Sequence, residues 1–303
     1  NQYNNAIILI SQRDYITQIV QMQQHMTYIG CNNAKSSAGY KSVQLYPLLR
    51  ITNKGEKKNM SERKLTGYPS IDKPWLKYYS EEAINTPLPE CTVWENIYKR
   101  NKDHLTDTAL LYFGKKISYG KLFSEIDKTA KALAYLGVKN GDNVAICMPA
   151  VPEAIYTILA LNKLGANAGM LNPTFSEAQL TDRVNEMEAN VLIVVNELYA
   201  TMQNVIPKTS IKHIVTCPAA NSLGAFVRLV KKVKPISGTL RWNVFIRQGR
   251  DTSYQTASYE KQKPAIMVFS SGTTGASKGI QLTNDGINAT GCEYEYGGFG
   301  FQR

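Results

Sequence analysis

The sequence predicts an α/β fold built on a mostly parallel sheet with helices on both faces. Three observations carry that expectation. Short runs rich in apolar and β-branched residues recur at Val144–Met148, Ala168–Leu171, Val191–Val195 and His213–Cys217, as strands buried on both faces require. Segments with a helical apolar period lie between them or just before them, as at Tyr119–Leu136 and Glu153–Leu164. Strands alternating with helices on this spacing join into parallel pairs through right-handed crossovers.

Residues 1–59 read poorly as a domain. They open on Asn, are rich in Gln, Asn and Tyr, and end in the polar run Thr52–Asn59. Met60 then opens a segment that looks like an ordinary start, so residues 1–59 are expected to be a poorly structured extension or translated upstream sequence. A real extension with a short helix around Tyr15–Gln24 is the alternative. Residues 60–90 mix Pro69, Pro74, Pro87 and Pro89 with Tyr68, Trp75, Tyr78 and Tyr79, a lead-in lying on a surface with one short helix near Trp75–Glu82.

Thr92 can cap a helix reaching Asn101, in which Val93, Trp94, Ile97 and Tyr98 recur with helical spacing. Thr108–Phe113 is strand-like, Gly114–Lys116 turns it, and Ile117 returns as a short partner. Ser118 caps the next helix, Leu122, Ile126, Ala130 and Leu133 share one of its faces, and Gly137 ends it. After the strand Val144–Met148, Pro152 suits a first helical turn and Gly165 closes that helix. Asn172–Ser176 is a loop, and Ser176 with Glu177 opens a helix running to Met187. Residues 218–263 are less regular: Phe226–Val233 reads as a short basic amphipathic helix, and Asp251–Lys263 as a polar loop.

The net charge is +11 over 303 residues, and nearly half of that excess falls in residues 1–59. What remains is modest and can help steer an anionic ligand. No Cys/His finger and no compact base-reading helix is visible, so nucleic acid is not an expected partner. Cys31, Cys91, Cys147, Cys217 and Cys292 are scattered, and no pair has metal-site spacing. They predict neither a zinc site nor a disulfide framework, and they point to a reducing, cytoplasmic compartment. Cys147 and Cys217, at the ends of strands, read as small core residues. No apolar run approaches the length of a membrane span; the basic helix at 226–233 allows at most a peripheral membrane contact.

The stretch that carries chemistry is Ser270-Ser-Gly-Thr-Thr-Gly-Ala-Ser-Lys-Gly279. It follows the apolar run Ile266–Phe269 and precedes a segment able to start a helix at Asn284. Gly272 and Gly275 let the backbone bring N–H groups close to an anion. Ser270, Ser271, Thr273 and Thr274 add hydroxyl donors, and Lys278 adds a mobile positive charge. The spacing is not that of a Walker A loop, which excludes kinase or GTPase chemistry of that type. Clusters of Gly, Ser and Thr are also what plain loops are made of.

This run resembles the signature of the adenylate-forming (AMP-binding) superfamily: acyl-CoA synthetases, amino-acid adenylation domains and luciferases. Ser271-Gly-Thr-Thr-Gly275, Ala276, then Lys278-Gly279-Ile280 follows the family order, with Ser277 where Pro is usual and Asn284 where a His often stands. Ile117-Ser-Tyr119 with Leu122, and Leu161–Ala166 through Asn172-Pro173, resemble two further family segments. Tyr119 and Asn172 are nonetheless read as packing and turn residues. The resemblance covers about residues 70–303, so residues 60–303 are expected to form a partial N-terminal domain of such an enzyme, most like an acyl-CoA synthetase acting on a fatty acid.

The resemblance implies that ATP, Mg2+, CoA and a small carboxylic acid are the ligands. Ser270, Ser271, Gly272, Thr273, Thr274, Gly275, Lys278 and Gly279 would hold the nucleotide's phosphates. The family's catalytic lysine and small C-terminal domain are expected beyond Arg303, so the 303 residues are expected to be inactive by themselves. An amino-acid adenylation domain, or a non-catalytic nucleotide-binding protein, are the alternatives.

Overall fold

The computed structural model describes residues 8–10, 66–223, 235–269 and 279–296. The proposed helices at 15–24 and 226–233 lie outside these residues, as does most of residues 1–59. Three strands form a small antiparallel sheet: β1 (Ile8–Ile10), β2 (Thr108–Tyr112) and β3 (Lys115–Ser118). Ile8 faces Tyr112 and Ile10 faces Leu110 across the β1–β2 pair. Between β2 and β3 the turn is Phe113-Gly114, both at positive φ (47° and 77°), the backbone that a two-residue hairpin turn demands. Lys115 and Lys116, expected in the turn, therefore belong to the returning strand.

Seven strands form the main sheet: β4 (Asn143–Cys147), β5 (Asn167–Met170), β6 (Val191–Val195), β7 (His213–Cys217), β8 (Leu240–Arg241), β9 (Pro264–Phe269) and β10 (Gly279–Thr283). Their order is β10-β9-β5-β4-β6-β7-β8. Every pairing is parallel except that of β9 with the edge strand β10. Among the described residues, the helices of seven residues or more are α1 (Val93–Asn101), α2 (Tyr119–Tyr135), α3 (Pro152–Leu164), α4 (Glu177–Glu186), α5 (Trp242–Gln248) and α6 (Asn284–Tyr296).

The strand order decides which face each helix covers. α3 carries the chain from β4 to β5, whereas α4 carries it from β5 back past β4 to β6. Crossovers of one hand running in opposite directions must lie on opposite faces. The side-chain alternation agrees. Val144 and Ile146 of β4 pack in the cluster of α2 and α3, while Ala145 and Cys147 pack with Leu180, Val184 and Met187 of α4. Every residue of α3 except Lys163 is buried. Gly165 ends it at φ 75°, where a Cβ would also lie 2.7 Å from Ala257 Cβ.

Thr92 caps α1 as expected, with a reciprocal bond between its backbone N–H and Glu95. The other exposed N–H groups at this helix start find distant partners. Val93 N–H donates to Asn284 Oδ1 at 3.0 Å, and Trp94 N–H to Asn162 Oδ1 at 2.8 Å. Asn162 Nδ2 donates to Asn284 Oδ1 at 2.8 Å. One turn on, Asn96 donates to Asn288, which donates to the Cys91 carbonyl. All four asparagines are buried. Side chains of α3 and α6 thus satisfy the N–H groups that a helix start leaves unpaired.

Two local expectations are corrected. The single helix near Trp75–Glu82 is a 3-10 turn at Pro74–Tyr78 and a separate helix at Glu81–Asn85. Ser80 separates them because its Oγ accepts from Ala83 N–H, which pulls its backbone into the extended cap conformation. The irregular region also contains α5, whose Trp242 and Phe245 are buried. At seven residues it is too short to show a helical period.

Asn284→Leu leaves the Val93 N–H and the Asn162 amide buried without an acceptor. Each such group costs about 1–3 kcal/mol, so the urea midpoint is expected to fall clearly below that of the unaltered chain. A surface control such as Lys139→Ala is expected to leave the midpoint unchanged.

Candidate functional site

The predicted phosphate loop leaves the carboxyl end of β9. Ser270, Ser271, Gly272, Thr273, Thr274, Gly275 and Lys278 lie outside the described residues; both flanks of the loop lie within them. Gly279 is the first residue of β10 and pairs with Phe269, the last of β9. Residues 270–278 are therefore closed by an antiparallel pair whose ends sit one strand spacing apart, about 4.8 Å. β9 runs parallel to β5, so both strands deliver their following segments to one edge of the sheet. That edge is where open α/β sheets bind their ligands.

Side chains from α4 brace both ends of this hairpin. Gly279 N–H donates to Glu186 Oε1 at 3.2 Å. A Cβ at Gly279 would lie 3.0 Å from that oxygen and 3.3 Å from both Met267 Sδ and Phe269 Cε1, so a side chain here meets a filled space. One turn earlier in α4, Arg183 is only 3% exposed. Its guanidinium lies 3.9 Å from the Phe175 ring centre and 5.6 Å from that of Phe269. Nη1 donates to the Gln179 carbonyl at 2.7 Å, whereas Nε and Nη2 are buried with no hydrogen-bond partner among the described residues. Burial lowers its pKa, with Asp182 and Glu186 acting in the opposite sense; an arginine remains charged all the same.

Arg183 and Glu186 were missed in the sequence, although the helical period contained a signal. Leu180, Val184 and Met187 mark the buried stripe of α4, and Arg183 falls on it at the i+3 position from Leu180. A charge on an apolar stripe is the exception that calls for a partner.

A second feature lies across the sheet. A cavity of about 540 Å³ is lined by Lys115, Lys121, Glu125, Glu153, Tyr156 and Ser222, among others. Glu153, in the first turn of α3, is 1% exposed. Its Oε1 accepts from Asn221 at 2.7 Å and from Ser222 at 2.6 Å, and its Oε2 has no hydrogen-bond partner among the described residues. Burial raises the pKa of this carboxyl, and the bonds from Ser222 and Asn221 offset only part of the effect.

Other singled-out residues have structural roles. Tyr119 is buried at 1% exposure in the cluster beneath α2. Asn172 Oδ1 accepts from the Thr174 N–H and hydroxyl, a local turn. Cys147 and Cys217 are fully buried, with burial pushing the Cys147 thiol up to about 12 and raising that of Cys217 as well. Asn284, standing where a His often occurs, is a member of the buried amide network. Among the described residues no group of three or more His, Cys, Asp or Glu could hold a metal, so the fold offers no ready-made ion cage there.

Residues 97–302 match the family described as AMP-binding enzyme, and the chain belongs to that family. It is 26% identical over 244 residues to the acetyl-coenzyme A synthetase of Helicobacter acinonychis, covering 75% of this chain and 36% of that protein. It is 30% identical over 175 residues to acetyl-coenzyme A synthetase 1 of Candida albicans, covering 57% and 26%. The chain thus spans about a third of the length of the curated relatives it matches. Among solved structures, it resembles the anthranilate CoA ligase AuaEII in complex with anthranoyl-AMP, with a TM-score of 0.56 at 22% identity over 67% of this chain and 36% of that one. A long-chain-fatty-acid-CoA ligase from Archaeoglobus fulgidus gives a TM-score of 0.56 at 19% identity, over 70% and 40%. These likenesses bear out the expected fold class.

The Glu153 carboxyl makes a pH prediction. A carboxyl whose pKa is raised on folding binds more protons folded than unfolded, so its contribution to stability is present at low pH and is lost as pH rises from 4.5 through the raised value. Glu153→Gln cannot ionise. The urea midpoint of the unaltered chain, relative to that of the variant, is expected to fall as pH rises from 4.5 towards neutrality. A difference independent of pH would mean that the carboxyl titrates as it does in water.

Proposed function

We propose that the longer protein to which these residues belong activates a carboxylic acid with ATP and passes it to CoA. The observation that carries this reading is the signature Ser271–Gly279 inside the family match, with its flanks closing a hairpin at the ligand-binding edge of the sheet. The acid's carboxylate attacks the α-phosphorus of ATP, forming a carbon-bound oxygen–phosphorus bond as the bond to pyrophosphate breaks. The CoA thiol then attacks the acyl carbon of the adenylate and AMP leaves, with the thiol proton lost to solvent. The first step needs no general base, because a carboxylate is already a nucleophile at neutral pH. It needs the triphosphate charge neutralised and the attack aligned.

Thr273, Thr274 and Lys278 are the proposed principal contacts to the β- and γ-phosphates, with Ser270 and Ser271 adding donors. Gly272 and Gly275 shape the loop, and Gly279 holds its exit against Glu186. Bound Mg2+ would share the neutralisation of phosphate charge; it is proposed to arrive with the nucleotide. The first acid to test is a fatty acid. Acetate is the second reading, favoured by the names of the curated relatives. A cytoplasmic setting is supported by four buried free cysteines among the described residues. No helix among the described residues is long and apolar enough to cross a membrane.

The test is ATP–pyrophosphate exchange by the longer protein with a panel of acids. Exchange is expected only when an acid is present, followed by CoA-dependent thioester formation. Acid-independent exchange, or none with any acid, would overturn the reading. In the 303-residue chain, Lys278→Ala is expected to weaken MgATP binding by about tenfold, or ~1.4 kcal/mol, by calorimetric titration, with the melting temperature unchanged.

A further inference from the structure

We propose that the cavity around Glu153 is a binding site for a small zwitterion: a primary ammonium joined by an apolar spacer to a carboxylate or phosphate. The ammonium is taken by Glu153 at the floor, and the anionic end by lysines at the rim. The cavity lies between β3, the first turns of α2 and α3, the segment after β7, and Trp242 of α5. The inference does not rest on the reading that residues 270–279 hold phosphates.

Three observations converge. First, Glu153 lines the cavity although it is buried. Asn221 and Ser222 both donate to Oε1. They leave Oε2 without a hydrogen-bond partner among the described residues. Burial opposes ionisation of this carboxyl, and the like charge of Glu125 acts in the same direction. A cation arriving at the floor relieves both effects by pairing there. Second, Trp242 is buried and lines the same cavity. An indole wall suits both an ammonium and an apolar spacer. Third, the exposed Lys115, Lys116 and Lys121 line the cavity as well. Lys115 donates to the Ser222 carbonyl at 2.7 Å, and Lys121 to Glu125 at 2.8 Å. An ammonium has three donors, so these bonds leave others for an anion.

A carboxyl kept only to join α3 to the segment after β7 needs one oxygen. A glutamine would supply that oxygen without the desolvation of an acid. Glu153 also stands in the first turn of α3, where a negative charge is favoured, but an exposed acid would gain that benefit too. The charge pattern then selects among ligands. Lysines at the rim disfavour a bare amine or a metal cation, and a bare anion leaves Oε2 without a donor. A molecule carrying both charges meets both ends of the site. At about 540 Å³ the cavity has room for a spacer of several carbons.

The experiment titrates the 303-residue chain calorimetrically with 6-aminohexanoate, 6-aminohexyl phosphate, hexanoate and hexylamine. At least one zwitterion is expected to bind about tenfold more tightly than either singly charged compound, and comparing the two identifies the anionic end. Glu153→Gln keeps the shape of the side chain but not its charge. It is expected to weaken that zwitterion about tenfold and to leave hexanoate unchanged. Lys116→Glu, on the exposed rim, is expected to weaken the zwitterion by a similar factor, and Lys139→Ala to have no effect. Equal affinity for the zwitterions and the singly charged compounds would overturn the inference, as would unchanged zwitterion affinity in Glu153→Gln. If Glu153→Gln does not fold, the ligand comparison and Lys116→Glu decide by the same criteria. MgATP is titrated separately. Binding of MgATP without binding of either zwitterion would defeat this inference alone, and the reverse would defeat only the phosphate-loop reading.

Discussion

The start of α1 is held by amides that lie far along the chain, and much of the structure depends on that arrangement. A helix start exposes N–H groups that must find acceptors, and here Asn162 of α3 and Asn284 of α6 supply them. The same two side chains bond to each other. α3 is buried along its length, so it cannot shift without opening the sheet. α6 follows β10 directly, so its register with α1 also fixes where the hairpin around residues 270–278 returns. A buried amide network of this kind gives little net energy per bond but makes each alternative packing costly, because any slip strands a polar group in the core.

The two faces of the sheet do different work. On the α3 face, the helices bury large aliphatic side chains and build most of the core. On the α4 face, the smaller cluster carries the charged residues that approach the loop's flanks, Arg183 and Glu186. The division follows from strand order, since the reversal of direction after β5 sends α4 to the face opposite α3. It also separates the buried Arg183 cation from the buried Glu153 carboxyl, which lies in the first turn of α3. Had both groups shared one face, pairing would have been their cheapest arrangement.

Much of this fold was legible in residue order. Ser118, Thr92 and Ser176 cap the helices they were expected to cap, and Gly165 ends the helix it was expected to end. Short-range chemistry governs these positions, because a cap bonds within three residues and a positive φ favours glycine locally. The break at Ser80 follows similar local rules, but two partly helical turns overlap there and only the finished backbone shows which prevailed. α5 was invisible for a different reason. Its seven residues span only two turns, too few for a helical period to stand out, and it is held by contact with α2 and β7.

For the candidate site, the sequence alone determined the signature Ser270–Gly279, its place after an apolar strand, and the family to which the run belongs. Those are properties of contiguous residues. The tertiary structure alone decided that Gly279 is braced by Glu186, that Arg183 is buried near Phe269 with two nitrogens lacking a hydrogen-bond partner among the described residues, and that Asn284 serves a helix 191 residues away. The helical period could place Arg183 on a buried stripe, but a period does not name what lies opposite. That depends on which strand neighbours which, and strand order is set by the packing of the whole sheet.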